Sequence, residues 1–117
     1  MSGAGQGAVA LPEPFRGEVW DVDFSDFGRH PAVVLSVNLL NARLGHVAVV
    51  PVTGTRGPEQ THVALTSDAG LTRYDASYAD VTALQPVARP DLVALRGRLA
   101  AAELDYIGRQ VSVYLGL

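Results

Sequence analysis

The sequence predicts a mainly β domain with helices (α+β): a curled sheet or small barrel of short antiparallel strands with one C-terminal helix laid across it. Three observations predict it. Residues 16–24 alternate apolar and polar with a period of two, further short β-branched runs follow between turn-forming clusters, and a helical stripe appears only near the end. No internal repeat or linker divides the 117 residues, which suit a single domain over residues 15–117 after a floppy Gly/Ala/Pro-rich tail at residues 1–14.

The first strand, Arg16 to Phe24, puts Trp20, Val22 and Phe24 on one face and Val19, Asp21 and Asp23 on the other. Ser25 to Gly28 is a turn. Pro31 to Val37 is apolar enough to be buried on both faces, and proline is tolerated at a first strand position. Asn38 to Gly45 reads as a connection, Gly45 to Val52 as a third strand, Thr53 to Pro58 as a loop and Thr61 to Thr66 as a short strand. Asp68 to Asp75 is irregular. Ser77 to Leu84 reads as one strand.

The two prolines in Pro86 to Leu92 argue against a regular strand there, and Arg89-Pro90-Asp91-Leu92 suits a brief helical turn. Arg96 to Leu99 reads as a short edge strand. From Ala101 onward, Leu104, Ile107, Val111 and Tyr114/Leu115 recur at helical spacing, and Gly116 ends the helix. Its N-cap is poor, since Ala100 offers no side-chain acceptor.

Composition narrows the function classes. The absence of cysteine excludes a disulfide scaffold and a thiolate zinc site, and it suits a reducing cytoplasm. No apolar stretch approaches the ~20 residues of a membrane span, and residues 1–14 lack the basic start of a secretory signal. A cytoplasmic protein without a membrane association is therefore expected. The formal charge is −3, so a nucleic-acid site must be a local positive patch; all nine basic residues are arginines, suited to forking onto phosphate. His30, His46 and His62 have no metal-ligand spacing, so no metal or other cofactor is expected.

Five local strings taken together resemble the MazF/PemK toxin family. They are Arg16-Gly17-Glu18-Val19-Trp20-Asp21-Val22-Asp23-Phe24, then Gly28 to Ser36 (GRHPAVVLS), then Val49-Val50-Pro51-Val52-Thr53. Thr61 to Leu65 (THVAL) follows, and Leu95 to Leu99 (LRGRL) leads to the helix ending Leu115-Gly116-Leu117. The resemblance runs in one continuous order from Arg16 to Leu117. It implies an SH3-like curled sheet, as in CcdB and PemK, and a homodimer. It also implies the toxin of a type II toxin–antitoxin system: a metal-independent endoribonuclease that cuts single-stranded RNA to 2′,3′-cyclic phosphate and 5′-OH ends and is held by a cognate antitoxin.

In that family the chemistry falls to the arginine before the second-strand proline and to the threonine closing the third strand. The threonine carries over as Thr53, with the amides of Gly54 and Thr55 as further phosphate donors. The residue before Pro31 is His30, however, and Arg29 stands one place earlier. Either His30 takes the family arginine's place, as a better general base than a guanidinium, or the strand shifts and Arg29 supplies the charge. Neighbours on an extended chain point to opposite faces, and the preferred reading puts His30 in the site with Arg29 on phosphate at its rim.

Ser36, Asn38, Arg56, Arg73 and Tyr74 are further candidates for lining an RNA groove, with Tyr74 as a stacking face. Two features depart from the family. The turn Ser25 to Gly28 replaces a longer gating loop, and Asp80-Val81-Thr82-Ala83 stands where the family often has Asp-Gln and a basic residue. Two other functions remain open on these residues: a non-enzymatic gyrase inhibitor like CcdB, and a catalytically degenerate homologue that binds only RNA or antitoxin.

Overall fold

The fold turns on which face of each strand is apolar. The protein was analysed as a computed structural model, which describes residues 13–66 and 76–117. Its strands are β1 (Glu18–Phe24), β2 (Gly28–Val34), β3 (His46–Thr53), β4 (His62–Leu65), β5 (Ser77–Asp80), β6 (Gln85–Ala88) and β7 (Leu92–Arg98). A short helix α1 (Asn38–Asn41) joins β2 to β3, and α2 (Ala101–Leu115) ends the chain. The pairing is antiparallel, in the order β4-β5-β3-β2-β1-β7, with β6 added on β3; the sheet curls but does not close.

Strand alternation feeds two cores, one on each face. On one side Val19, Val33, Val50, Val52, Val63, Ala79 and Val81 meet Ile107 and Val111 of α2. On the other, Trp20, Val22, Phe24, Ala32, Val34, Val47 and Val49 meet Val87 of β6 and Leu92 of β7. The valine run of β2 is thus buried on both faces, as its pattern predicts. The buried Glu18 carboxylate accepts from Phe15 N–H (2.7 Å) and Trp20 Nε1–H (3.1 Å), with Arg98 at 3.5 Å, so its burial leaves no bare charge.

Several boundaries differ from the sequence expectation, each for a local reason. The second strand spans Gly28–Val34 rather than Pro31 to Val37, because a three-residue turn reverses the chain and Gly28, at φ +81°, pairs at once with Phe24. The expected connection after it holds α1. The expected strand Ser77 to Leu84 stops at Asp80, whose Oδ1 accepts from Thr82 N–H (3.0 Å) and caps a 3-10 turn at Val81–Ala83. That turn moves the chain along β3, from pairing with Val52 and Thr53 to pairing with His46–Val49.

The resulting β6 runs through Pro86, where no regular strand was expected. It pairs with β3 alone, and on such an edge a missing N–H is tolerated. The expected turn at Arg89–Asp91 is present, and β7 begins directly after it, longer than the edge strand Arg96 to Leu99. Glu103 compensates for the poor cap of α2. Its carboxylate accepts from Ala100 N–H (3.3 Å) and from Thr66 N–H (2.9 Å), which ties the helix start to the end of β4. Pro14, placed in the tail by composition, is buried, and residues 1–12 lie outside the described residues. Among the described residues no helix is long and apolar enough to cross a membrane.

Ile107 is the fully buried residue of α2 and joins the helix to the sheet. Ile107→Ala is expected to cost about 2–5 kcal/mol of stability, read from the urea midpoint; a loss below about 1 kcal/mol would show that α2 does not hold the sheet.

Candidate active site

The β1–β2 register puts Arg29 and His30 on opposite faces of the sheet. Arg29 lies opposite Asp23, and His30 opposite Val22. Arg29 therefore shares the face of Asp21 and Asp23, whereas His30 shares the face of Trp20, Val22 and Phe24. The guanidinium is held there: Arg29 Nε donates to Asp23 Oδ1 at 2.8 Å, with 61% and 48% of the two side chains exposed. This hydrogen bond and its charge hold the Asp23 carboxyl below its ordinary range and raise the arginine further, with Asp21 adding to the latter.

Thr53 falls on the same side of the sheet as His30. In the β2–β3 ladder Ala32 pairs with Pro51, and counting two residues outward on each strand brings His30 level with Thr53. The ladder ends at Ala32 and Pro51, after which Val52 and Thr53 pair with Ala79 and Tyr78 of β5 along the other edge of β3. His30 and Thr53 thus flank the point where β2 and β3 stop pairing, at the end of the apolar face built around Trp20.

Each side chain is held by its own turn. His30 Nε2 lies 3.0 Å from the Phe27 carbonyl, and its ring tilts against Phe27 at 5.1 Å between centroids; Phe27 in turn stacks on Phe24 at 4.5 Å. A carbonyl can only accept, so Nε2 donates in this contact and Nδ1 is the ring nitrogen it leaves over. Thr53 Oγ1 accepts from Thr55 N–H at 3.1 Å, which leaves the hydroxyl hydrogen to be donated elsewhere. The Thr55 amide is accordingly occupied within the turn, while Gly54 is exposed.

The remaining sequence candidates scatter. Ser36 takes part in the fold: its hydroxyl accepts from Ala48 N–H (3.0 Å) and donates to Asn41 Oδ1. Asn38 Oδ1 accepts from Arg16 N–H at 2.7 Å, pinning the start of the domain. Arg56 lies in the loop after β3 and makes no ion pair among the described residues. Arg73 and Tyr74 lie outside the described residues.

Sequence reasoning missed a cavity of about 450 Å³ beside β4, lined by Arg56, Glu59, His62, Tyr78 and Tyr106. Tyr78 is the cross-strand partner of Thr53, so this cavity adjoins the site. Gly57 belongs to its wall: the backbone presses on the His62 ring so closely that a Cβ would come 2.5 Å from Nδ1.

Comparison with known proteins fits this geometry. The family model of PemK-like, MazF-like toxins of type II toxin–antitoxin systems matches residues 15–115. The chain belongs to this family. Among curated protein sequences none matches significantly. A mycobacterial endoribonuclease solved in complex with its cognate antitoxin is similar at 26% identity and TM-score 0.80, over 89% of this chain and 96% of that one. MazF from Deinococcus radiodurans shares the fold at 20% identity and TM-score 0.79, over 92% of this chain and 100% of its own. The Mycobacterium tuberculosis toxin MazF-mt6 does so at 20% identity and TM-score 0.77, over 86% of this chain and 97% of its own.

The Arg29–Asp23 pair gives a direct test of the two faces. Because the folded carboxyl is held low, the pair stabilises the protein above the unfolded carboxylate pKa, and this contribution disappears as pH falls through the lowered folded value. An NMR titration should find Asp23 titrating below ordinary aspartate and returning toward it in Arg29→Ala. An unchanged titration in that variant would place the guanidinium elsewhere, free to reach the His30 face.

Proposed function

We propose that the chain is the toxin of a toxin–antitoxin pair and acts as an endoribonuclease on single-stranded RNA, with His30 and Thr53 as its catalytic residues. The observation that carries this reading, within a PemK/MazF-family fold, is the shared face of His30 and Thr53 where the β2–β3 ladder ends.

The cut is a transesterification. His30 Nδ1 takes the proton of the 2′-OH, and the oxygen attacks phosphorus while the Phe27 carbonyl keeps the other ring nitrogen protonated. The Thr53 hydroxyl, whose lone pair is occupied by Thr55 N–H, donates to a non-bridging oxygen as charge builds on it. The O2′–P bond forms and the P–O5′ bond breaks. The imidazolium, through water, returns the proton to the departing 5′-oxygen, leaving a 2′,3′-cyclic phosphate and a 5′-OH. Arg29, turned away and neutralised by Asp23, takes no part in the bond changes.

The proposed partners follow from the same face. The mycobacterial relative is described with its cognate antitoxin, and an acidic antitoxin segment would compete with RNA here, since both bring negative charge to Thr53 and the neighbouring Arg56. A homodimer of this single domain is proposed as well. Val37, Leu39, Leu40 and Leu44 around α1 and Val113 to Leu117 at the end of α2 leave apolar surface for it. RNA as the substrate places the activity in the cytoplasm.

Purified protein incubated with a long RNA in EDTA should cut it at discrete sites and leave cyclic-phosphate ends. His30→Ala and Thr53→Ala should each lower the rate by about 10²–10⁴-fold, with Arg29→Ala within about tenfold of the parent. No cleavage by folded protein would defeat the enzyme reading. Activity lost in Arg29→Ala but kept in His30→Ala would reverse the assignment.

A further inference from the structure

We propose that the cavity beside β4 is a nucleobase slot that receives one unpaired guanine next to the phosphate at Thr53. The proposal rests on the ribonuclease reading and deepens it, by naming the base that this chain selects.

Position comes first. Thr53 and Tyr78 are Cα partners, and directly opposed residues of an antiparallel pair have Cβ atoms ~5 Å apart. Tyr78 lines the cavity, so a phosphate at the Thr53 hydroxyl leaves the adjoining nucleotide beside the tyrosine. The cavity, about 450 Å³, holds a purine, and Tyr78 and Tyr106 supply aromatic surface on which an unpaired base can stack.

The polar groups choose among bases. His62 is committed to the wall: its Nδ1 is 2.9 Å from Thr61 Oγ1, its Nε2 is 3.8 Å from Asp80 Oδ2, and Gly57 lies against its ring. These contacts fix the loop that carries Arg56 and Glu59. Both line the cavity, and neither forms an ion pair, with the other or elsewhere, among the described residues. A guanidinium and a carboxylate in one cavity, without an ion pair among the described residues, suit a ligand that presents acceptors and donors on adjoining edges. Guanine does so twice over. Its O6 and N7 accept a bidentate arginine, and its N1–H and N2 amino group both donate to a carboxylate. Adenine offers the guanidinium no carbonyl and the carboxylate only one amino group. Uracil and cytosine offer the carboxylate one donor group and leave stacking area unused.

The test separates this inference from the reading beneath it. Binding of short single-stranded RNAs that differ at one position (G, A, C or U) is measured with the His30→Ala protein, so that the RNA stays intact. Cut sites of the unaltered protein are mapped on a randomised RNA. Expected are binding at least about tenfold tighter for one G position, and G enrichment at one position beside the cut. Glu59→Gln and Arg56→Ala should each erase most of that preference, whereas Tyr78→Ala should weaken binding of every sequence about tenfold, with Tyr78→Phe restoring it. Cleavage without G preference, or a preference unchanged in Glu59→Gln and Arg56→Ala, overturns the slot and leaves the ribonuclease standing. A G preference in binding by a protein that cuts nothing supports the slot and overturns the ribonuclease.

Discussion

Strand β3 is the constraint on which the rest of the structure depends. One of its edges carries β2, and the other carries β6 along its first half and β5 along its end. Because side chains alternate, fixing this one register fixes the face of every residue on the strands around it. Val50 and Val52 go to the helix side, while Val47 and Val49 go to the Trp20 side. Thr53, the next odd residue after Pro51, then stands where the Trp20 side opens. A slip of one residue in β3 would exchange the faces of its side chains and take Thr53 off the face of His30. The apolar burial of ten or more valine, isoleucine and tryptophan side chains thus holds two polar ones in place.

The same alternation handles charge. In a chain of net charge −3, a bare guanidinium at position 29 would be a ready phosphate contact. Asp23 occupies it across the hairpin, and Asp21 adds negative potential on that face. An exposed pair of this kind adds little stability. Its effect is on direction: the positive charge is held on the face of Asp21 and Asp23, and the imidazole of His30 lies on the other. Histidine titrates near neutrality and can accept a proton, whereas guanidinium stays protonated.

The local patterns were legible in the sequence; the long-range ones were not. The Trp20-Val22-Phe24 alternation, the valines of β2 and the stripe Leu104-Ile107-Val111 each arise from neighbours in the chain, and each gave its element correctly. What failed depended on a distant partner. Pro86 argues against a strand until β3 is seen to pair it on one edge only. Ala100 looks like an uncapped helix start until Glu103 reaches both it and Thr66. Ser36 reads as a groove residue, but its hydroxyl joins Ala48 to Asn41. Among the candidate site residues, Thr53 was named by the resemblance, and the opposite faces of His30 and Arg29 appear only in the β1–β2 register. The cavity had no linear signature, since its walls come from the loop after β3, from β4, β5 and α2.

Site and cavity share parts, and this limits how independently they can move. Thr53 and Tyr78 sit on one rung of the β3–β5 ladder, so a shift in the strand that places the hydroxyl also shifts the ring beside it. The loop from β3 to β4 begins with the Thr53–Thr55 hydrogen bond and is pinned again where Gly57 meets His62. Within such a short span, the backbone of Arg56 is held between two fixed points. Displacements of an ångström are enough to cost orders of magnitude in a positioned reaction. Groups that select a base therefore gain from sharing a ladder with groups that act on its phosphate. The hairpin bearing His30 has no such tie to β3 beyond Ala32 and Pro51. Its position relative to Thr53 is set by the Phe24–Phe27–His30 stack and by the apolar face beneath it. The aromatic turn, rather than the ladder, is thus the part of the fold that governs how well the proposed base meets its phosphate.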